Sequence, residues 1–173
     1  MAGGVKLIDN SIQVKAALND VSISWLYTWS NEIASQARRN CSMDGNVGTQ
    51  LRGSYTTVVD AAEGEAKIGS TMEAAYWEEY GTGSHADTQK NGGRQGRKDW
   101  WVYVANQPPR EKESTHYKTQ AEAQAVADSM RAEGFDAYAT NGRDPNYTLE
   151  KAFKNTKPKA IADLKEQLKE ELG

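Results

Sequence analysis

Residues 11–39 read SIQVKAALNDVSISWLYTWSNEIASQARR. Within them Leu18, Val21, Trp25, Trp29, Ile33 and Ala37 recur at steps of three or four, the spacing of one face of an α-helix. Two tryptophans four residues apart on that stripe carry a large apolar area that needs a partner surface. Ser22, Ser24, Thr28, Ser30, Asn31 and Ser35 are indifferent helix formers, so packing rather than propensity must hold the segment. The expectation is a long core helix, around which the remaining elements are arranged.

Upstream, Val5, Leu7 and Ile8 suit a short first strand closed by Asp9-Asn10. Downstream, Ser42 to Gly48 has loop composition, with Asp44-Gly45-Asn46 as its turn signal. From Leu51 the period changes to two, so Ser54 to Asp60 reads as a strand with Tyr55, Thr57 and Val59 on one face. Ala61 to Gly64 turns the chain, and Glu65 to Gly69 returns with Ala66 and Ile68 inward, completing a β-hairpin. A short helix over Met72 to Tyr80 then stops at Gly81.

Thr82 to Lys98 holds Gly83, Gly92, Gly93 and Gly96, four basic residues (Lys90, Arg94, Arg97, Lys98) and no aliphatic side chain larger than Ala86. It reads as a mobile basic loop. Gly81 to Arg110 carries a net charge of +3, against −4 for Ala61 to Tyr80. Trp100 to Ala105 suits a strand, ended by Pro108-Pro109, and Thr115 to Lys118 a short extended piece. Thr119 and Glu122 form a capping box for a helix with Ala123, Val126, Ala127 and Met130 inward; Gly134 ends it and Phe135 to Thr140 alternates as a strand. Residues 100–141 are thus expected to form a compact β–α–β insert. Thr148 can cap a last helix from Leu149, with Pro158 interrupting or restarting it and Thr156 as the new cap. Ile161, Leu164, Leu168 and Leu172 mark its apolar face, and the alternating Lys165, Glu166, Lys169 and Glu170 imply a solvated one.

Global composition bounds the function. The 173 residues suit a single domain, and a net charge of −3 excludes binding nucleic acid by bulk charge alone. Only 25 residues are Ile, Leu, Val or Phe, whereas 22 are Ala, 5 Trp and 8 Tyr, so the core is thin and burial against partner subunits is expected to complete it. No run approaches the roughly 18 apolar residues of a membrane span. Met1 to Asn10 has no signal-peptide pattern and Cys41 is the one cysteine, which points to a reducing compartment such as the cytoplasm.

Signatures of catalysis are sparse. His85 and His116 with Cys41 lack metal-ligand spacing, and no nucleophile elbow is present. Gly92 to Arg97 lacks the GK[ST] ending of a phosphate-binding loop. Glu78 and Glu79 point about 100° apart on a helix, so they read as a solvated edge rather than a paired acid and base. Trp100-Trp101 beside Arg97-Lys98 offers at most one free ring for stacking on a base. No catalytic residue, cofactor or metal is expected.

Three segments in order carry a family resemblance: Leu51-Arg52-Gly53-Ser54-Tyr55, Ala75-Tyr76-Trp77-Glu78-Glu79-Tyr80-Gly81-Thr82-Gly83, and Pro145-Asn146-Tyr147-Thr148-Leu149-Glu150-Lys151-Ala152-Phe153. This order resembles the head–tail joining, or gene-product-ten-like tail-completion, proteins of tailed bacteriophages. Those typically show D-T-G-x-L-R-x-S, a Y-x-x-(Y/F/E)-G-T segment and P-x-(F/Y)-(L/M)-x-x-A-(F/L). Here the first register is disturbed around Asp44, although Leu51, Arg52 and Ser54 remain. The resemblance implies structural roles for Leu51, Arg52, Ser54, Tyr76, Glu79, Gly81, Thr82, Pro145, Tyr147 and Phe153. It implies a non-enzymatic virion subunit in the host cytoplasm during assembly, forming a neck ring, commonly a hexamer, between head connector or portal proteins and tail-tube or tail-terminator proteins. Lys90, Arg94, Arg97 and Lys98 would meet those partners, or contact DNA non-specifically in the lumen. The insert also looks like half of a SPOR-type repeat, which supports a rival reading as a cell-envelope or peptidoglycan-binding module.

The fold expectation is one α+β domain over residues 1–173. Its mostly antiparallel sheet is packed by a long N-terminal helix and a C-terminal helix, with the small β–α–β insert beside the basic loop.

Overall fold

The computed structural model describes residues 11–43, 45–93, 96–105 and 116–172. The strand expected at Val5 to Ile8, the Pro108-Pro109 break, Asp44 and Arg94 lie outside them. The chain is α+β, with a long first helix, α1 (Ser11–Asn40), and a long last one, α5 (Thr148–Leu172). Between them run α2 (Gly45–Ser54), β1 (Thr56–Asp60), β2 (Glu65–Gly69), α3 (Glu73–Tyr80), β3 (Thr82–Gly83), β4 (Trp101–Val104), α4 (Gln120–Ala132), β5 (Ala137–Thr140) and β6 (Gly142–Arg143). All strands pair antiparallel, but in three separate two-stranded units: β1–β2, β3–β6 and β4–β5.

The tryptophan stripe of α1 finds its partner in α5. Trp25 Nε1 donates to the Ala160 carbonyl (2.6 Å), and Trp29 Nε1 donates to Thr156 Oγ1 (3.2 Å). Nearer the other end, Asn40 Nδ2 donates to the Thr148 carbonyl (3.3 Å), so the helices run antiparallel. The Trp25 and Trp29 rings lie 4.8 Å apart and Phe153 stacks on Trp29 at 5.3 Å. Ala34, Ala37, Ala152 and Ala160 are buried. Alanines let two backbones approach closely, so a chain poor in large aliphatics still achieves dense packing. The core continues through Ile33, Cys41, Leu51, Tyr55, Ala74 and Ala75, with Met43, Ile68, Met72 and Leu149 against it.

The hairpin has the expected faces: Ile68 packs inward and Val58 is 65% exposed. Its first strand starts at Thr56, two residues later than expected, because Ser54 ends a helix instead. That helix, α2, occupies much of the segment read as a loop. Gly45 (φ 67°) makes the turn, and Gly48 lies so close to the Met43 carbonyl that no Cβ would fit. Arg52 Nη2 also donates to Met43 O (2.6 Å). Glycine here serves close approach, which composition cannot distinguish from flexibility.

Thr119 and Glu122 form the reciprocal capping box of α4 as the spacing predicts. The outcome at Pro158 differs from expectation, since α5 runs through it without a break. Pro158 and Lys154, whose carbonyl loses its usual i+4 donor, both face solvent, where water can bind that carbonyl. On the opposite face Thr156 and Ala160 are tied to α1. Thr156 is no cap; its hydroxyl donates back to Ala152 O (2.9 Å). Tertiary contact thus holds a helix that propensity would break. Pro158→Ala is expected to raise unfolding free energy by about 1–3 kcal/mol in urea denaturation. A neutral or destabilising effect would mean that the proline starts a separate helix.

Candidate functional site

The C-terminus of α3 and the segment entering α5 meet in one buried polar knot. Glu78 is 0% exposed and Glu79 8%, which corrects their reading as a solvated edge. Because adjacent helical residues diverge by about 100°, the two carboxylates serve different partners. Glu78 Oε1 accepts from Ser42 N (2.6 Å), Ser42 Oγ (3.0 Å), Asn146 Nδ2 (2.7 Å) and Thr148 Oγ1 (3.3 Å). Among the described residues its Oε2 accepts no hydrogen bond and is balanced by an ion pair with Arg143 Nη2 at 3.1 Å, while the same guanidinium nitrogen donates to Ser42 Oγ. Glu79 accepts from Leu149 N on one oxygen (2.7 Å) and from Glu150 N on the other (3.0 Å). Those amides belong to the first turn of α5, where no helical acceptor exists and negative charge is favoured. The expected cap, Thr148, lies inside the helix, so the cap of α5 comes from α3.

The exchange is reciprocal. Asn146 N donates to Glu78 O (2.9 Å) and Tyr147 N to Glu79 O (3.2 Å), satisfying carbonyls at the end of α3. Gly81 (φ 73°) closes α3 where an added Cβ would lie 2.5 Å from Arg143 O and 2.9 Å from Pro145 N. Thr82 then pairs with Arg143 in β3–β6, with Thr82 Oγ1 accepting from Arg143 N (3.1 Å). Glu79, Gly81, Thr82, Pro145 and Tyr147, remote in sequence, are therefore neighbours. Leu51 is buried in the core, Ser54 Oγ lies 2.6 Å from Ser70 Oγ, and Phe153 stacks on Trp29. Ser42, Arg143 and Asn146 went unnoticed by sequence reading, since no local pattern marks a residue that completes a distant carboxylate's shell.

Tyr55 and Cys41 adjoin this knot. Burial pushes the Tyr55 phenol well above its ordinary range, and burial likewise raises the Cys41 thiol. Both are therefore protonated at neutral pH and, being buried, are not nucleophiles presented to solvent.

The basic loop is pinned to α5 by one of its own lysines. Lys90 Nζ pairs with Glu150 Oε2 (2.7 Å) and sits 4.4 Å from the Tyr147 ring centroid. Tyr147, held at φ 51°, donates its hydroxyl to Asp87 Oδ2 (2.7 Å). Asp87 Oδ1 accepts from Gln89 N (3.0 Å) and Lys90 N (3.2 Å), and Tyr76 Oη donates to Asn91 O (3.1 Å). The Tyr147 hydroxyl, then these backbone amides, hold the Asp87 carboxyl below its usual range. Lys154, then Lys90, does the same for Glu150. Arg97 and Lys98 are both exposed.

His85 faces two acceptors, with Nδ1 2.8 Å from Asp144 Oδ1 and Nε2 3.0 Å from Asn141 Oδ1. Only the imidazolium donates from both nitrogens. Among the described residues no group of three or more His, Cys, Asp and Glu could hold a metal ion. No helix of the described residues is long and apolar enough to cross a membrane. The chain matches none of the family models, curated proteins or solved structures with which it was compared.

Two expectations follow. Glu78→Gln keeps the volume but turns an acceptor into a donor facing donors, and should cost about 3 kcal/mol of stability in chemical denaturation. A loss below 0.5 kcal/mol, within the scatter of about ±0.5 typical of surface substitutions, would contradict the knot. Asp144, then Asn141, raises the His85 pKa above 6.5, so this pairing stabilises the fold fully below pH 6.5 and is lost as pH rises through the folded value. An NMR titration should place the His85 midpoint above 6.5, and Asp144→Asn should lower it.

Proposed function

We propose that this chain is a virion structural subunit that joins phage head to tail, working by oligomerisation and docking rather than by catalysis. The observation that carries the reading is the convergence of the motif segments. The Ala75–Gly83 and Pro145–Phe153 stretches, alike to head–tail joining proteins in sequence and order, hold one another through Glu78 and Glu79. Residues that such motifs share are then the ones this fold cannot lose, as Gly81 illustrates.

Surface features suit docking. Among the described residues the β1–β2 hairpin pairs with no further strand, leaving outer edges on which another chain can add one. Tyr27, Val47 and Trp77 join Val58 as exposed apolar side chains. The self-assembled ring, commonly six-fold, and the portal-side and tail-side partners belong to this proposal, as does location in the virion.

One observation favours the rival envelope-binding role. On β4–β5 the cross-strand neighbours Tyr103 and Tyr138 are 53% and 50% exposed, on the face that also carries Trp101. Exposed aromatic faces suit stacking against sugar rings. Purified virions and purified cell-wall sacculi separate the two. The chain should co-purify with virions, and deletion of its gene should leave filled heads without tails. Retention on sacculi together with absence from virions would overturn the phage role.

A further inference from the structure

Four of the six lysines of α5 share one face of the helix. At about 100° per residue, Lys151, Lys154, Lys165 and Lys169 fall within an arc of roughly 60°, centred away from the α1-facing Ala152, Thr156 and Ala160. All four are exposed, and the arc also holds Pro158 and the exposed Leu172 but no carboxylate. Asp163, Glu166 and Glu170 lie on one flank with Lys159, and Glu150 and Glu171 on the other with Lys157. From Lys151 to Lys169 the stripe is about 27 Å long.

Stability does not account for this arrangement. A helix face tuned for stability alternates opposite charges at i,i+4, whereas Lys165 and Lys169 stack like charge on like. Lys154 does pair with Glu150, yet that carboxylate is shared with Lys90, which adds a further cation at this end. Lys151 Nζ donates to the neutral Asn146 Oδ1 (3.0 Å). Among the described residues Lys165 and Lys169 make no ion pair.

We propose that the solvent face of α5 is a docking surface for the phosphate backbone of double-stranded nucleic acid. Charge complementarity selects the occupant. Protein interfaces deplete lysine and centre on Trp, Tyr or Arg anchors, none of which lies in this arc. A row of flexible ammonium groups, of which only Lys154 is ion-paired among the described residues, suits contact with phosphates without base recognition. The net charge of −3 is no obstacle, because the carboxylates of α5 lie off this face. This inference does not rest on the phage reading. Duplex binding by a chain absent from virions would refute only that reading, and a virion subunit indifferent to duplex would refute only this one.

The test is fluorescence anisotropy of the intact chain with a labelled 20-base-pair DNA duplex at 50–200 mM NaCl. The chain should bind at 50 mM. Replacing Lys151, Lys154, Lys165 and Lys169 by Gln should weaken binding about tenfold or more and flatten the log–log salt slope by about 3–4. Lys67→Gln with Lys118→Gln, on other elements, should leave the slope unchanged. Gln is nearly as good a helix former as Lys, so circular dichroism of the fourfold variant should match the parent. Absence of duplex binding at 50 mM, or an unaltered slope in the fourfold variant, would overturn the proposal. So would tighter binding of polyglutamate than of duplex, which would assign the face to an acidic protein.

Discussion

A buried carboxylate pair organises this molecule. Glu78 and Glu79 stand on the last turn of α3, and between them they hold the end of α1 at Ser42 and the start of α5 at Leu149 and Glu150. Burying a carboxylate is costly unless donors replace its water shell. Here backbone amides, Asn146, Thr148 and Ser42 supply the hydrogen bonds and Arg143 the countercharge, and they are in position only when three distant chain segments have come together. The penalty for an incomplete shell therefore favours one arrangement of α1, α3 and α5 over other compact ones.

The long helix pair depends on that anchoring. With its first turn fixed beside Asn40 through Asn146, α5 lies antiparallel along α1, and the tryptophans reach Ala160 and Thr156. Alanine at the contacts and indole rings in the gaps substitute for the missing large aliphatics. The loop after α3 is drawn in by the same geometry, since Tyr147, whose amide bonds to α3, also offers its hydroxyl to Asp87 and its ring to Lys90. The pairing of β3 with β6 then joins the insert to the knot through Arg143.

Local signals were legible from residues alone. The stripe of α1, the alternation of the hairpin, Gly81 as a helix end and the Thr119–Glu122 capping box each sit within a few residues of what they determine. What escaped depends on distance. Gly48 looks like loop composition until the Met43 carbonyl lies against it, and Pro158 looks like a break until Trp25 and Trp29 hold the other face. Glu78 and Glu79 look solvated because their partners are 36 to 71 residues away. Likewise the lysines of α5 are interspersed with glutamates along the chain, yet four of the six form one stripe on the helix. The motif order was readable, but not that the motifs hold each other.

A fold locked at its motif segments, with cations and apolar side chains left outward, suits a part that others dock against. Its central claim is that the first-turn amides of α5, together with Ser42 N, are held by carboxylates of α3. Such amides lack helical acceptors and ordinarily exchange quickly with solvent. Native-state hydrogen exchange read by NMR addresses this directly. Slow exchange is expected at Ser42, Leu149 and Glu150 in the parent chain, and fast exchange at Leu149 and Glu150 in Glu79→Ala. Exchange of all three amides at unprotected rates in the parent chain would contradict it.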